Sequence, residues 1–288
     1  PKTEPWNDFR KLFGNLETIL MRKNKPAEGL AMVLPAFSTG GAELMSLHQI
    51  NYWYQQGHRV FLIILSTTDP QLLSQLKLPL ERVFVLHTPS SVLSLHSILT
   101  TIRAVPSLLK FIKSHKITQV IAHLPIAHFQ MRLVKLGGCV IGKSFRLIHY
   151  HHSLQYQASP LDTLGKKLFN RFNSYIARFT DDGHIFVSEA VKRDIQRNFC
   201  IKNGTVIYNS VPYQKINRHS GASSVASFAS GKLLGYKILL VPGRIHPVKG
   251  HFFLVKAYAE LIKRNPSLSK QYKILVAGGG SYLENLAQ

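Results

Sequence analysis

Two cations stand five positions apart in the segment Val241-Pro242-Gly243-Arg244-Ile245-His246-Pro247-Val248-Lys249-Gly250. Arginine offers phosphate oxygens a planar fork of donors, and lysine offers a compact charge. An apolar run ends just before them and an amphipathic stretch follows. A strand, a glycine turn and a helix N-terminus would therefore bring both charges next to free helical N–H groups, a setting suited to a diphosphate. Two exposed basic residues on a loop are the plainer reading.

Three more segments pair chemistry with turn signals. Ser38-Thr39-Gly40-Gly41-Ala42-Glu43 follows an apolar run. Paired glycines let a ligand approach the backbone closely, and a simple turn accounts for the same residues. The segment is neither a G-x-G-x-x-G fingerprint nor a P-loop, and no such fingerprint with an acidic residue some twenty positions on points to a dinucleotide enzyme. His149-Tyr150-His151-His152-Ser153 holds three histidines in four residues. In an extended chain His149 and His151 share one face and His152 takes the other. The next carboxylate along the chain is Asp162, so no ligand set for a metal is complete and none is expected. A histidine contacting substrate fits this segment, with ordinary core or surface histidine as the alternative for His149 and His152. Lastly, Ser188-Glu189 and Asn209 lie at strand-to-helix and strand-to-loop transitions. Ser188 reads as an N-cap and Asn209 as a turn residue; both, with Glu189, are possible substrate contacts.

The elements that must hold these loops alternate. Short apolar runs at Leu30–Leu34, Val60–Leu65, Val83–Leu86, Gln119–Ala122, Phe145–Tyr150, Gly183–Val187 and Thr205–Tyr208 read as strands. Between them, Ala42–Gln56, Ile102–His115, Pro125–Leu136, Leu164–Phe179 and Glu189–Phe199 read as helices. Such alternation predicts an α/β fold with a parallel sheet covered on both faces. Gln214–Gly235 is rich in Ser, Gly, Ala and Lys and reads as a linker. A second alternation then starts: a strand at Tyr236–Val241, a helix at Gly250–Arg264 and a strand at Tyr272–Ala277, followed by Gly278-Gly279-Gly280. The expected domains are 1–28, a basic amphipathic extension carrying Trp6, Phe9, Phe13, Leu16 and Leu20; 29–212, a doubly wound domain; 213–235, the linker; and 236–288, the incomplete start of a second domain.

Charge narrows the partners. With 36 Lys and Arg against 14 Asp and Glu, the net charge is +22. No carboxylate lies between Glu81 and Asp162, whereas Arg103, Lys110, Lys113, Lys116, Arg132, Lys135, Lys143 and Arg146 do. This predicts a surface that attracts anions. No nucleic-acid-binding signature accompanies it, so acidic lipid or phosphorylated substrate is the expected partner and nucleic acid is not. Cys139 and Cys200 are too few for a disulfide framework, and no apolar stretch reaches the length of a membrane span. A cytoplasmic setting, peripheral on the inner face of the plasma membrane, is expected.

Taken in order, these motifs resemble glycosyltransferase family 4, the group 1 glycosyl transferases, from about Leu30 to the end. The Gly-Gly-Ala-Glu loop, the His-x-His strand end, Val-Ser-Glu, Ile-Tyr-Asn-Ser-Val, the Arg244–Gly250 segment and Val276-Ala277-Gly278-Gly279-Gly280 carry the likeness. The resemblance implies a GT-B fold, in which two Rossmann-like domains face a cleft, the second cut short here. It implies a retaining transfer of sugar from a nucleotide-sugar donor to a glycan or lipid-linked acceptor in lipopolysaccharide or envelope polysaccharide synthesis, without a cofactor or tightly bound catalytic metal. Arg244 and Lys249 would bind the donor diphosphate. Gly40 and Gly41 would close over its phosphates, Gly278, Gly279 and Gly280 would lie near the nucleotide, and His151 would lie near the transferring sugar. The family's Glu-x7-Glu element does not appear before Gln288, and Glu284 comes too early to serve. A fragment, or a shortened and inactive remnant that only binds membrane or glycan, is the alternative expectation.

Overall fold

A computed structural model of the chain describes residues 29–88, 95–140, 142, 144–199, 201, 204–209, 233, 235–280 and 282–287. The expected extension over 1–28, nearly all of the linker over 213–235, Lys143 and Cys200 lie outside the described residues. The chain divides into two compact units, Pro1–Val211 and Pro212–Gln288.

In the first unit seven parallel strands form one sheet in the order β3-β2-β1-β4-β5-β6-β7. They are β1 (Gly29–Leu34), β2 (Val60–Ile64), β3 (Val83–Val85), β4 (Ile117–His123), β5 (Arg146–His151), β6 (Gly183–Phe186) and β7 (Gly204–Val206). The main helices are α1 (Gly41–Gln55), α2 (Leu95–Ser114), α3 (Leu124–Val140), α4 (Leu164–Thr180) and α5 (Glu189–Asn198). Both faces of the sheet are covered, which is why β1 and β2 read as unbroken apolar runs. Leu30, Met32 and Leu34 pack on one side with Leu47, Ile50 and Trp53 of α1. Ala31 and Val33 pack on the other with Leu108 and Phe111 of α2 and Met131 and Val134 of α3.

Two helices outrun their expected ends. α2 begins at Leu95 rather than Ile102, and α3 runs to Val140 rather than stopping at Leu136 before Gly137-Gly138. An added Cβ on Gly137 would lie 3.2 Å from Val105 and 3.3 Å from Leu109 of α2. The glycine thus lets the two helices approach closely, and packing outweighs its low helix propensity.

In the second unit β8 (Lys237–Pro242) pairs parallel with β9 (Tyr272–Ala277), joined through α6 (His251–Arg264). The Tyr258 hydroxyl on α6 donates to the Tyr272 carbonyl at 2.7 Å and fixes the helix to the strand.

Candidate functional site

In a doubly wound sheet, ligands bind at the carboxyl ends of the strands, near the point where strand order reverses. Here that point lies between β1 and β4. The parallel order brings the first unit's candidate residues onto this one edge. Gly40 and Gly41 follow β1, His151 ends β5, Ser188 and Glu189 follow β6, and Asn209 follows β7.

Gly40 is the N-cap of α1, and a Cβ there would reach within 2.3 Å of the Glu43 carboxylate. At Gly41 nothing lies within 4 Å, so the protein's own packing does not demand a glycine. Ser188 takes the N-cap role expected of it: its hydroxyl accepts from the Val191 N–H at 3.2 Å. Glu189 and Asn209 are exposed.

The strand alternation divides the histidines of β5. His149 and His151 lie on the α3 side, buried among His128, His184 and Phe186. His151 Nε2 lies 3.2 Å from His184 Nδ1. The ring of His152, on the other side, lies against both Tyr150 and His123, which also contact each other, and its Nε2 is 2.8 Å from His123 Nδ1. Ser46 of α1, whose hydroxyl donates to the Ala42 carbonyl, is 3.3 Å from the same His123 nitrogen. His123 thus links the helix behind Gly40-Gly41 to the end of β5. Among the described residues, His123 Nε2 and His152 Nδ1 are buried without a hydrogen-bond partner.

Sequence reasoning missed His123, which stands alone in the chain at the end of an apolar strand. It also missed Asp181. The expectation that no carboxylate lies near the histidines followed the chain and overlooked the sheet. β6 pairs with β5, and Asp181, just before β6, comes to 3.0 Å from His149 Nε2 and 3.5 Å from His184 Nε2. Arg132 of α3 donates to both Asp181 oxygens, at 2.9 and 2.6 Å, and to Asn173 at 2.9 Å. Among the described residues no group of three or more His, Cys, Asp or Glu side chains is placed to hold a metal ion.

The anion-attracting surface also needs correction. Arg132 and Lys135 are buried, Arg132 against Asp181 and Lys135 against Asp182. They neutralise the fold's own carboxylates, Asp181 in the interior and Asp182 at its surface. Arg103, Lys110, Lys113 and Lys116 are exposed, and Arg146 is half-buried.

Burial governs protonation in this network. It holds His123, His128 and His151 well below the ordinary histidine value, and it lowers His149 against the pull of Asp181. It takes His152 to about 4 and His184 to about 3. Burial alone would raise Asp181, but His149 and the Arg132 fork hold its carboxyl far below the usual carboxylate range. The rings are therefore neutral at pH 7 and the carboxylate is ionised.

In the second unit the carboxyl ends of β8 and β9 carry the remaining candidates. The Gly243 N–H donates to the Ala277 carbonyl, and the Ile245 N–H to the Gly279 carbonyl, each at 2.9 Å. The two loops therefore continue the strand pairing. A Cβ on Gly278 would lie 2.1 Å from the Gly243 carbonyl oxygen, and one on Gly280 would lie 2.3 Å from that of Ile245. Gly278 also has a φ of 156°. Both glycines are needed for the contact itself, while Gly279 has open space. Arg244 and Lys249 are exposed, and neither has an ion-pair partner among the described residues. Lys249 ends a 3-10 turn, and Gly250, at φ 75°, caps α6.

The architecture matches solved glycosyltransferases. A structure of Anabaena HepE in complex with UDP and glucose superposes with a TM-score of 0.64 at 19% identity, over 90% of this chain and 64% of that one. A glycosyltransferase from Rickettsia africae gives 0.57 at 18% identity, over 90% and 70%. The lipopolysaccharide outer core galactosyltransferase WaaB gives 0.51 at 15%, over 90% and 63%. The chain thus spans about two thirds of these proteins' length. At such identities the likeness is one of fold, and the fold is of GT-B type. No curated protein sequence matches the chain. The family model for Glycosyltransferase Family 4 matches residues 39–215, well over half of the chain, and the seven-stranded parallel sheet lies within or beside that span. The chain belongs to glycosyltransferase family 4.

Proposed function

We propose that this chain carries the acceptor-side domain and the start of the donor site of a retaining glycosyltransferase, which moves a sugar from a nucleotide-sugar donor to a glycan or lipid-linked acceptor. Synthesis of lipopolysaccharide or another envelope polysaccharide, at the inner face of the plasma membrane, is the setting we favour; one structural relative is a lipopolysaccharide core enzyme. The observation that carries the reading is the zipped pair of loops after β8 and β9. They present Arg244 and Lys249 unpaired at the N-terminal side of α6.

The chemistry follows from charge. As the bond from the anomeric carbon to the diphosphate oxygen breaks, its electron pair stays on that oxygen. Fixed cations stabilise this growing charge more than they stabilise the bound donor, which lowers the barrier. The acceptor hydroxyl oxygen bonds to the anomeric carbon, and its proton passes to a donor phosphate oxygen. No cofactor or tightly bound metal is required by this scheme. His151 is assigned to the sugar end of the site, with Ser188, Glu189 and Asn209 as further contacts, while His149, which has no exposed surface, serves the pairing with Asp181; Gly40 and Gly41 are assigned to the donor phosphates, and Gly278 to Gly280 to the nucleotide.

Isothermal titration with UDP and with GDP tests this. One of them should bind, and Arg244→Ala should weaken it by about 10- to 100-fold, the worth of a charge-assisted hydrogen bond. If neither nucleotide binds, the chain is a remnant without donor function and the proposal fails.

A further inference from the structure

Helix α4 has two apolar faces. Phe169, Ile176, Ala177 and Thr180 turn inward, where Phe169 meets Phe129 of α3. Leu164, Leu168, Phe172, Tyr175 and Phe179 recur at three- and four-residue spacing and lie between 54% and 71% exposed. They form one stripe along the whole helix, over 20 Å at 1.5 Å per residue. Large apolar side chains exposed singly are ordinary; five in a row on one helix face mark an interaction surface.

Charge identifies the partner. Lys167, Arg171 and Arg178 line an open groove along the edge of this stripe. None of the three has a carboxylate partner among the described residues, and α4 itself contains no Asp or Glu. A partner of neutral surface would leave these cations unmatched. An anionic bilayer needs both features: apolar side chains that enter the acyl boundary and cations that meet headgroups. Aromatic rings such as Tyr175 and Phe179, in edge contact at 5.3 Å, suit that boundary. None of the described helices is long and apolar enough to cross a membrane, so contact through α4 would be with the surface.

We infer that α4 docks this chain onto an anionic membrane surface, with the stripe Leu164 to Phe179 inserted and the Lys167, Arg171 and Arg178 groove on lipid phosphates. The inference rests on the reading of an envelope acceptor for its biological sense, and vesicle binding is measured without any nucleotide. Its failure therefore leaves the UDP and GDP titrations standing, and theirs leaves it standing.

The test is flotation of the full chain with vesicles of neutral phosphatidylcholine, and with vesicles in which about a third of the lipid is phosphatidylglycerol. The chain should float with the anionic vesicles only. Phe172→Ser with Phe179→Ser, and separately Lys167→Glu with Arg171→Glu, should each reduce binding by about tenfold or more. Both pairs lie at the surface, and circular dichroism checks that they fold. Tyr175→Trp supplies a second readout, a blue shift of emission over the wild-type chain when anionic vesicles are added. Undiminished flotation of both paired variants would assign the membrane contact to another segment, such as 1–28, and overturn the inference. So would a self-associating chain that the Phe172→Ser, Phe179→Ser pair converts to monomer without any vesicle binding in the wild type.

Discussion

His149 Nε2 stands 3.0 Å from Asp181 Oδ1, and both side chains are almost wholly buried. The pair joins β5 to the entry of β6, and the Arg132 fork closes it from α3. A buried carboxylate with these partners is costly to remove, since the guanidinium would stay behind without a counter-charge. Asp181→Ala should destabilise the first unit by about 3–5 kcal/mol. Urea denaturation followed by circular dichroism measures it; a loss below about 1 kcal/mol would show that water or rearrangement replaces the carboxylate.

The buried histidines make the fold sensitive to acid. His123, His128, His149, His151, His152 and His184 are all held below the ordinary value of 6.5. The unfolded chain therefore binds more protons than the folded one once the pH falls below about 6.5. Stability is full above that value and declines as pH drops, toward about 4 for His152 and about 3 for His184. Each ring contributes a slope of up to ~1.4 kcal/mol per pH unit. Six of them acting together should take several kcal/mol from the fold by about pH 5, a large share of an ordinary domain's stability. Denaturation midpoints at pH 7.5 and pH 5 compare directly, and equal midpoints would contradict the burial of these rings.

The zipped loops of the second unit predict a contrast between neighbours. Gly280→Ala forces a Cβ onto the Ile245 carbonyl and should cost about 1–3 kcal/mol or separate the loops. Gly279→Ala meets open space and should leave stability within about 0.5 kcal/mol. Thermal melts of the two variants give the answer, and nucleotide titration of Gly279→Ala shows whether a ligand uses that space.

Ser188 separates a structural role from a substrate contact. As the N-cap of α5, Ser188→Ala should lower stability by about 1 kcal/mol, and Ser188→Asp should restore it. Acceptor affinity that falls in Ser188→Asp while stability holds would assign the hydroxyl to substrate as well.

Much of this was legible along the chain because periodicity and turn residues are local. The run at Tyr272–Ala277 is a strand with the same ends, and Ser188 caps its helix. What was not legible depended on neighbours across the sheet. Asp181 lies far from His149 in sequence and becomes its partner only through the pairing of β5 with β6. Arg132 and Lys135 looked like surface charge because nothing local reveals that α3 turns them inward. Gly137 looked like a helix end because the packing it permits comes from α2. For Gly278 and Gly280 the family resemblance implied a place near the nucleotide, and the structure adds a reason of its own: the opposing loop occupies the space a side chain would need.

All seven strands of the large sheet run parallel, so no two neighbours are joined by a hairpin. Leu30, on the third strand of the order, must wait for Gln119 before its second edge is covered. Every strand pairing in this sheet joins segments distant in the chain, and such pairings form slowly. During synthesis β1 leaves the ribosome as an apolar strand with one open edge, well before β4 exists to cover it. The window for misassociation is therefore set by translation time, and slowing elongation between α1 and β4 should lower the yield of folded chain more than slowing it after β5.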